Sequence, residues 1–265
     1  MSNTPSIQTV IDGILAATPY DPNYDTVDTV KTGDASQPVR GIATTFLASS
    51  EVIERAAAAG ANLLITHEPT FYNHLDQTDW LEADPVYQAK RQLIDQHGMV
   101  IWRFHDFWHA HQPDGIMLGV LRALGWESYA DANSPYFCTL PATALDELVA
   151  HLKQALGIAS VRVVGPPDMI CRRVALLVGS PGGRVQIEAL GRPDVDVAIC
   201  GEINEWEVNE YVGDALRLAQ PKALIVTGHA PSEEAGMAYL AEWLRERVPG
   251  VPVAHIPHGG GLRSA

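Results

Sequence analysis

Apolar positions recur at helical spacing at the start of the chain. Ile7, Val10, Ile11, Ile14 and Leu15 follow Thr4 and Pro5, which predicts an opening helix with threonine at the cap and proline in the first turn. Residues 20–38 are polar and rich in Asp, Thr, Asn and Pro, and read as loop with at most one short strand. From residue 41 the pattern becomes strand, helix, strand. Residues 41–48 read as a strand, Ser50 caps a helix over 51–59, Gly60 stops it, and Asn62–Thr66 is a short buried strand followed by His67 and Glu68. A second unit runs through a helix over 85–97, a Gly98 stop and the strand 99–104, then His105 and Asp106. A third has the strand 223–227, then Gly228 and His229, then a helix from about Ser232 to Arg247. Three predicted strands therefore lead directly into a histidine.

The middle of the chain repeats this order faintly. A strand over 174–179, a glycine-rich turn, a helix over 184–190 and a strand over 195–200 lead to Gly201 and Glu202, as residues 41–68 lead to His67 and Glu68. The alternation predicts an α/β fold of two similar units, with mixed, largely parallel sheets flanked by helices. The expected division is a metal-site domain of residues 1–130 with 204–265, and a smaller α/β domain over 131–203.

Composition narrows the function classes. The chain has 265 residues, 46% of them hydrophobic and 19% charged, as for an ordinary folded protein of one large or two small domains. Its 18 basic against 32 acidic residues give a net charge of −14, which disfavours general nucleic-acid or anionic-membrane binding but permits a small phosphorylated substrate held by metal. Cys138, Cys171 and Cys200 are far apart with no C-x-x-C spacing, which excludes a disulfide framework and a cysteine zinc site and fits a reducing compartment. No apolar run approaches the ~18 residues of a membrane helix. No secretory pattern opens the chain, so a cytoplasmic protein is expected.

Candidate chemistry gathers at the strand ends. In open α/β sheets ligands bind beyond the carboxyl ends of the strands. His67, Glu68, the histidines from His105 to His111, and His229 all hold that position, and Glu233 follows His229 by one helical turn. Imidazoles with carboxylates suit zinc, iron or manganese without thiolates. The supply of three histidines and two carboxylates exceeds one tetrahedral ion and suggests a dinuclear centre with His67, Glu68, His109, His229 and Glu233 as ligands. Glu202 and Asp106 are candidates for proton handling or support of the ligands, and His105 and His111 for support alone. A lone histidine is more often a hydrogen-bonding loop residue, so His74, His97, His151, His255 and His258 are set aside. His258-Gly259-Gly260-Gly261 mimics a lipase oxyanion segment but has no G-x-S-x-G partner, and reads as a glycine-rich tail. Trp108, between candidate ligands, is a candidate pocket wall.

The segments ITHEPTF (65–71), RFHDFWHAHQP (103–113), CGEINEWE (200–207) and TGHAPSEEAGM (227–237) resemble signature segments of the Nif-three-like family, also called GTP cyclohydrolase I type 2 homologues. The resemblance is to the short form, without an extra central domain. It implies a two-domain α/β protein with a dinuclear metal centre, assembled as a toroidal homohexamer. The family has two adjacent histidines where this chain has His67-Glu68, and an aspartate where it has His109. Its G-H-x-x-x-E segment is matched by Gly228, His229 and Glu233. The two departures offset each other, leaving three imidazoles and two carboxylates. The expected function is a metal-dependent hydrolase acting through metal-activated water on phosphate esters or nucleotide-like substrates. The alternatives are a non-enzymatic metal-binding oligomeric scaffold or metal-handling protein, and the GTP ring hydrolysis that the family's other name suggests.

Overall fold

The computed structural model describes residues 4–259. The chain divides into two compact units, one formed by residues up to 116 with 236–259, the other by 117–235. In chain order the first unit contains α1 (Ile7–Ala16), β1 (Val30–Thr32), β2 (Ile42–Thr45), α2 (Ser50–Ala58), β3 (Leu63–Thr66), α3 (Pro85–His97), β4 (Val100–Arg103) and α4 (Asp106–Ala110). The chain crosses to the second unit within α5 (Gly115–Leu124). There follow β5 (Ala130–Asp131), β6 (Ser134–Ala144), α6 (Leu145–Leu156), β7 (Arg162–Val164), β8 (Ile170–Leu177), α7 (Gly183–Leu190), β9 (Val197–Cys200), α8 (Glu210–Arg217) and β10 (Ala223–Val226). It returns within α9 (His229–Arg247) and ends in β11 (Val253–His255).

Each unit is built on its own sheet. The first has the strand order β1-β4-β3-β2-β11, the second β5-β6-β8-β9-β10-β7. In the first, β11, β2, β3 and β4 are parallel and β1 closes one edge antiparallel. In the second, β8, β9 and β10 are parallel, with β6 and β7 antiparallel on either side. The central strands are buried throughout and short, as expected of parallel sheets covered on both faces. In register across the first sheet, Ala43, Leu64 and Ile101 form one row, packed with Val52, Ile53 and Ile94 of the flanking helices. Across the second, Ala175, Ala198 and Leu224 form the matching row, packed with Leu190 and Val212.

Local signals set most boundaries. Asp84 accepts the backbone N–H of Val86 and Tyr87, Pro85 occupies the first turn, and Gly98 ends α3 in the left-handed conformation at φ 56°. Ser6 caps α1 and Ser49 caps α2, each one or two residues from the expected cap. The repeat is more complete than the sequence suggests. Both units run helix, antiparallel edge strand, strand, helix, strand, helix, strand, with α1-β1-β2-α2-β3-α3-β4 matched by α6-β7-β8-α7-β9-α8-β10.

The observed division differs from the expected one at 130/131 and 203/204. β10 pairs along its whole length with β9 and β7, so residues 204–235 fold with the second sheet rather than with the first unit. The glycine-rich tail reading falls partly on residues 260 and 261, which lie outside the described residues. Among the described residues, no helix is long and apolar enough to cross a membrane.

The three cysteines are buried and free. Burial pushes the thiols of Cys138 and Cys171 up to about 11 and that of Cys200 up to about 12. Thiolate, the reactive form, therefore appears only well above neutral pH. At pH 8 the native protein is expected to leave a colorimetric thiol reagent almost unreacted, and the denatured protein to titrate all three. Rapid native reaction would contradict the packing described.

Candidate metal centre

In the first unit the site begins where β3 and β4 stop. Backbone pairing continues past β3, with the N–H of Glu68 donating to Phe46 O at 2.9 Å, and this carries His67 and Glu68 to the sheet's carboxyl edge. β4 runs into His105, which caps the short helix α4. That helix starts on a buried carboxylate from the loop before β1. Asp28 Oδ1 accepts the N–H of His105 at 2.7 Å and of Asp106 at 2.9 Å, and Oδ2 accepts that of Phe107 at 2.9 Å. One turn of α4 then places His105 and His109 on the same face.

Three imidazoles converge as a result. The ring of His67 lies 4.5 Å from that of His105 and 5.0 Å from that of His109, centroid to centroid, and His105 and His109 are 5.0 Å apart. One nitrogen from each falls within 4.8 Å of the others. His67 is fully buried, and its basicity is pushed well below the usual imidazole value by burial, then by His105, His109 and Arg103. Asp106 Oδ1 accepts from His105 Nδ1 at 2.8 Å, and Asp114 Oδ2 from His109 Nδ1 at 3.0 Å. Carboxylates on Nδ1 fix ring orientation and tautomer and leave Nε2 to act as a metal donor.

Arg103 organises the adjacent loop. Its fully buried guanidinium donates to His67 O at 2.9 Å, to His74 O, and to Glu68 Oε2 at 3.2 Å. Glu68 Oε1 stands 4.0 Å from His105 Nε2, at the edge of the imidazole group.

The second unit carries its own imidazole–carboxylate group. His229 starts α9 directly after β10. Its Nδ1 lies 3.3 Å from Glu202 Oε1 and its Nε2 3.2 Å from Glu233 Oε2, one turn on. Glu202 follows β9, with its N–H on Gly179 O at 2.8 Å and its carbonyl accepting from Gln186 Nε2 at 2.7 Å. Gly201 is needed for this close approach, because a Cβ there would stand 2.5 Å from both Gly179 O and Ser232 Oγ.

Comparison with known proteins identifies the chain. Residues 9–258 match the family model Duf34/NIF3 (NGG1p interacting factor 3). The chain belongs to the DUF34/NIF3 family. A Chlamydia muridarum relative named GTP cyclohydrolase 1 type 2 homolog is 27% identical, with 82% of this chain and 84% of that protein covered. An Escherichia coli K12 relative of the same name is 24% identical over 80% and 82% of the two chains. The fold matches a Bacillus cereus protein related to NIF3 with a TM-score of 0.80 at 15% identity, covering both chains completely.

Of the residues expected as ligands, His67, Glu68 and His109 belong to the first unit and His229 and Glu233 to the second. His105 stands among the imidazoles rather than behind them, a role that spacing allowed because it precedes His109 by four. Asp106 bonds His105 and also accepts from Thr26 Oγ1 at 2.7 Å and the Val27 N–H at 3.2 Å. The hydrogen bond from His105, and then those from Thr26 and Val27, outweigh partial burial and hold its carboxyl far below the usual range. That environment suits a permanent anion that orients His105 and does not suit proton transfer near neutral pH. His111 Nδ1 meets Pro113 O at 2.8 Å, outside the group. Trp108 is fully buried among Phe104, Tyr239 and Trp243 and is core rather than pocket wall. Asp28, Arg103 and Asp114 were not legible as site residues. Only an acid five positions after His109, and charges beside apolar strands, hinted at them.

Asp28→Ala strands three backbone N–H groups, all at least partly buried, at about 1 kcal/mol each, so a loss of about 3 kcal/mol is expected in denaturant unfolding, with a smaller loss for Asp28→Asn. Equal stability of Asp28→Ala and the wild type would show that α4 does not depend on this carboxylate.

Proposed function

We propose that this chain is a metal-dependent hydrolase with a divalent ion held by His67, His105 and His109. The observation that carries this reading is the convergence of three imidazoles at two strand ends, two of them braced on Nδ1 by carboxylates. The donors fit a borderline ion such as zinc, iron or manganese, being imidazole nitrogens gathered within 4.8 Å of one another. Such an ion, when bound, supplies a water acidic enough to act as nucleophile at neutral pH. The chain's own residues prepare the site. Asp106 and Asp114 hold the Nδ1 protons of His105 and His109, Arg103 fixes the backbone of His67, and Glu68 presents a carboxylate beside His105. His229 with Glu233 provides a second donor pair, and the expected stoichiometry is two ions per chain. Glu202, more than half exposed beside His229, is the better proton acceptor of the two acids considered. Phosphate esters and nucleotide-like molecules are the favoured substrates, since a water made nucleophilic by a bound ion suits their hydrolysis. The name carried by the relatives adds GTP to those to be tested. A cytoplasmic homohexamer belongs to the same proposal and rests on the family resemblance.

A metal-binding protein without turnover is the second reading, and Arg103 favours it. The guanidinium beside the imidazoles is buried and bonded to His67 O, His74 O and Glu68, so it does not present itself to a substrate phosphate.

Metal content by mass spectrometry, on protein purified without chelators, tests both. Two ions per chain are expected, falling to one in His105→Ala and one in His229→Ala, with hydrolysis of phosphodiesters or GTP lost in both. Bound metal with no turnover on these substrates would favour the second reading. Absence of metal after reconstitution would sink both.

A further inference from the structure

Apart from the imidazole group, the first unit contains a groove of about 660 Å³, lined by Leu47, Ser50, Tyr72, Val86, Lys90 and Leu93 among others. That volume lies within the range of small-molecule sites, roughly 300–1,000 Å³. Its mouth is apolar and accessible, with Tyr72 53% and Val86 62% exposed.

The residue that gives the groove its chemistry is Lys90. It is 6% exposed, although lysine is rarely so buried without an ionic partner. Its Nζ donates to a neutral acceptor, Thr70 O, at 2.6 Å, and lies 5.0 Å from the Tyr72 ring centroid and 5.7 Å from that of Phe71. An ammonium has three N–H donors, and Thr70 takes one. Asp76, the carboxylate whose field reaches Lys90, is paired with Lys31 Nζ at 3.5 Å. Burial draws the amine down to about 8, so negative charge brought into the groove would favour its charged form. A buried ammonium on an apolar wall matches a ligand with an anionic oxygen at one end and an apolar body at the other. The net charge of the chain does not oppose this at close range, because physiological salt screens it beyond about 8 Å.

We propose that this groove binds a small carboxylate with an aromatic or branched apolar body, the carboxylate accepting from Lys90 Nζ and the body lying against Tyr72, Val86 and Leu93. Neither the metal centre nor the hydrolase reading is needed for it.

Phenylacetate, phenylacetamide and phenethylamine are the probes, titrated into the full-length protein while the amide and methyl signals of Val86 and Leu93 are followed by NMR. Phenylacetate is expected to give saturable shifts below about 10 mM, with the amide and the amine binding at least about tenfold more weakly. Lys90→Gln should weaken phenylacetate at least about tenfold. Val86→Glu alters an exposed position, spares the packing around Lys90, and should weaken it as much by placing a carboxylate at the mouth. No saturation with phenylacetate, equal binding of phenylacetamide, or an affinity unmoved by both substitutions would overturn the proposal.

Discussion

The parallel register of the central strands is the constraint on which both imidazole groups depend. β3 pairs with β4 from Leu63 with Val100 to Thr66 with Arg103, so the two strands end level and release His67, Glu68 and His105 at one edge. β9 and β10 end level in the same way, Cys200 beside Val226, and release Glu202 and His229. A slip of one residue in either pair would turn every side chain to the opposite face of the sheet. Both faces are buried, so such a slip would exchange one packed row, such as Ala43, Leu64 and Ile101, for another of different shape. The positions of the functional side chains are thus set by hydrophobic packing several residues away from them.

Level strand ends do not suffice to aim an imidazole, and buried charge does that work in the first unit. The Asp28 carboxylate gathers three consecutive N–H groups at the start of α4 and so fixes the turn that carries His105 and His109. Arg103 fixes the other side by holding the carbonyls of His67 and His74 with the carboxylate of Glu68. A buried ion is costly unless its hydrogen-bonding capacity is met, and removal of one partner strands the other. The pairs are therefore rigid, all-or-none supports. Glu68 is held by Arg103 beside the imidazoles, so its carboxylate is kept from collapsing into the neighbouring groups.

Much of this was legible in the sequence because the signals were local. Asp84-Pro85 and Gly98 delimit α3 within thirteen residues, and the apolar runs ahead of His67, His105 and His229 are short buried strands, as their length and flanks indicate. Long-range pairing was not legible. β10 carries no mark that it joins β9 and β7, and the observed division of the chain differs from the expected one there. The long antiparallel strand β6 is not legible because only two of its positions, Cys138 and Leu140, are buried and the rest are exposed or half-buried. Of the candidate site, the residues at strand ends were legible from their position. Asp28, Arg103 and Asp114 were not, since each acts through partners 77, 36 or 5 residues away and belongs to no compact motif.

The internal repeat sharpens the contrast between the two groups. In equivalent places after the second parallel strand stand Glu68 and Glu202, and after the third stand His105, two residues past β4, and His229, three past β10. The scaffold is the same but the supports differ, because the residue at the end of β4 is Arg103 and that at the end of β10 is Val226. Without a guanidinium, the second unit aligns its strand ends by close backbone approach, with Gly201 against Gly179 and Ser232. Glu202 is then held through its backbone while its side chain stays more than half exposed, whereas Glu68 is fixed through its carboxylate and largely covered. A carboxylate that exchanges protons with solvent must be accessible, and one that shapes a ligand field must be held. The duplicated positions have diverged along that line: the Glu202 side chain stands accessible, and that of Glu68 is held.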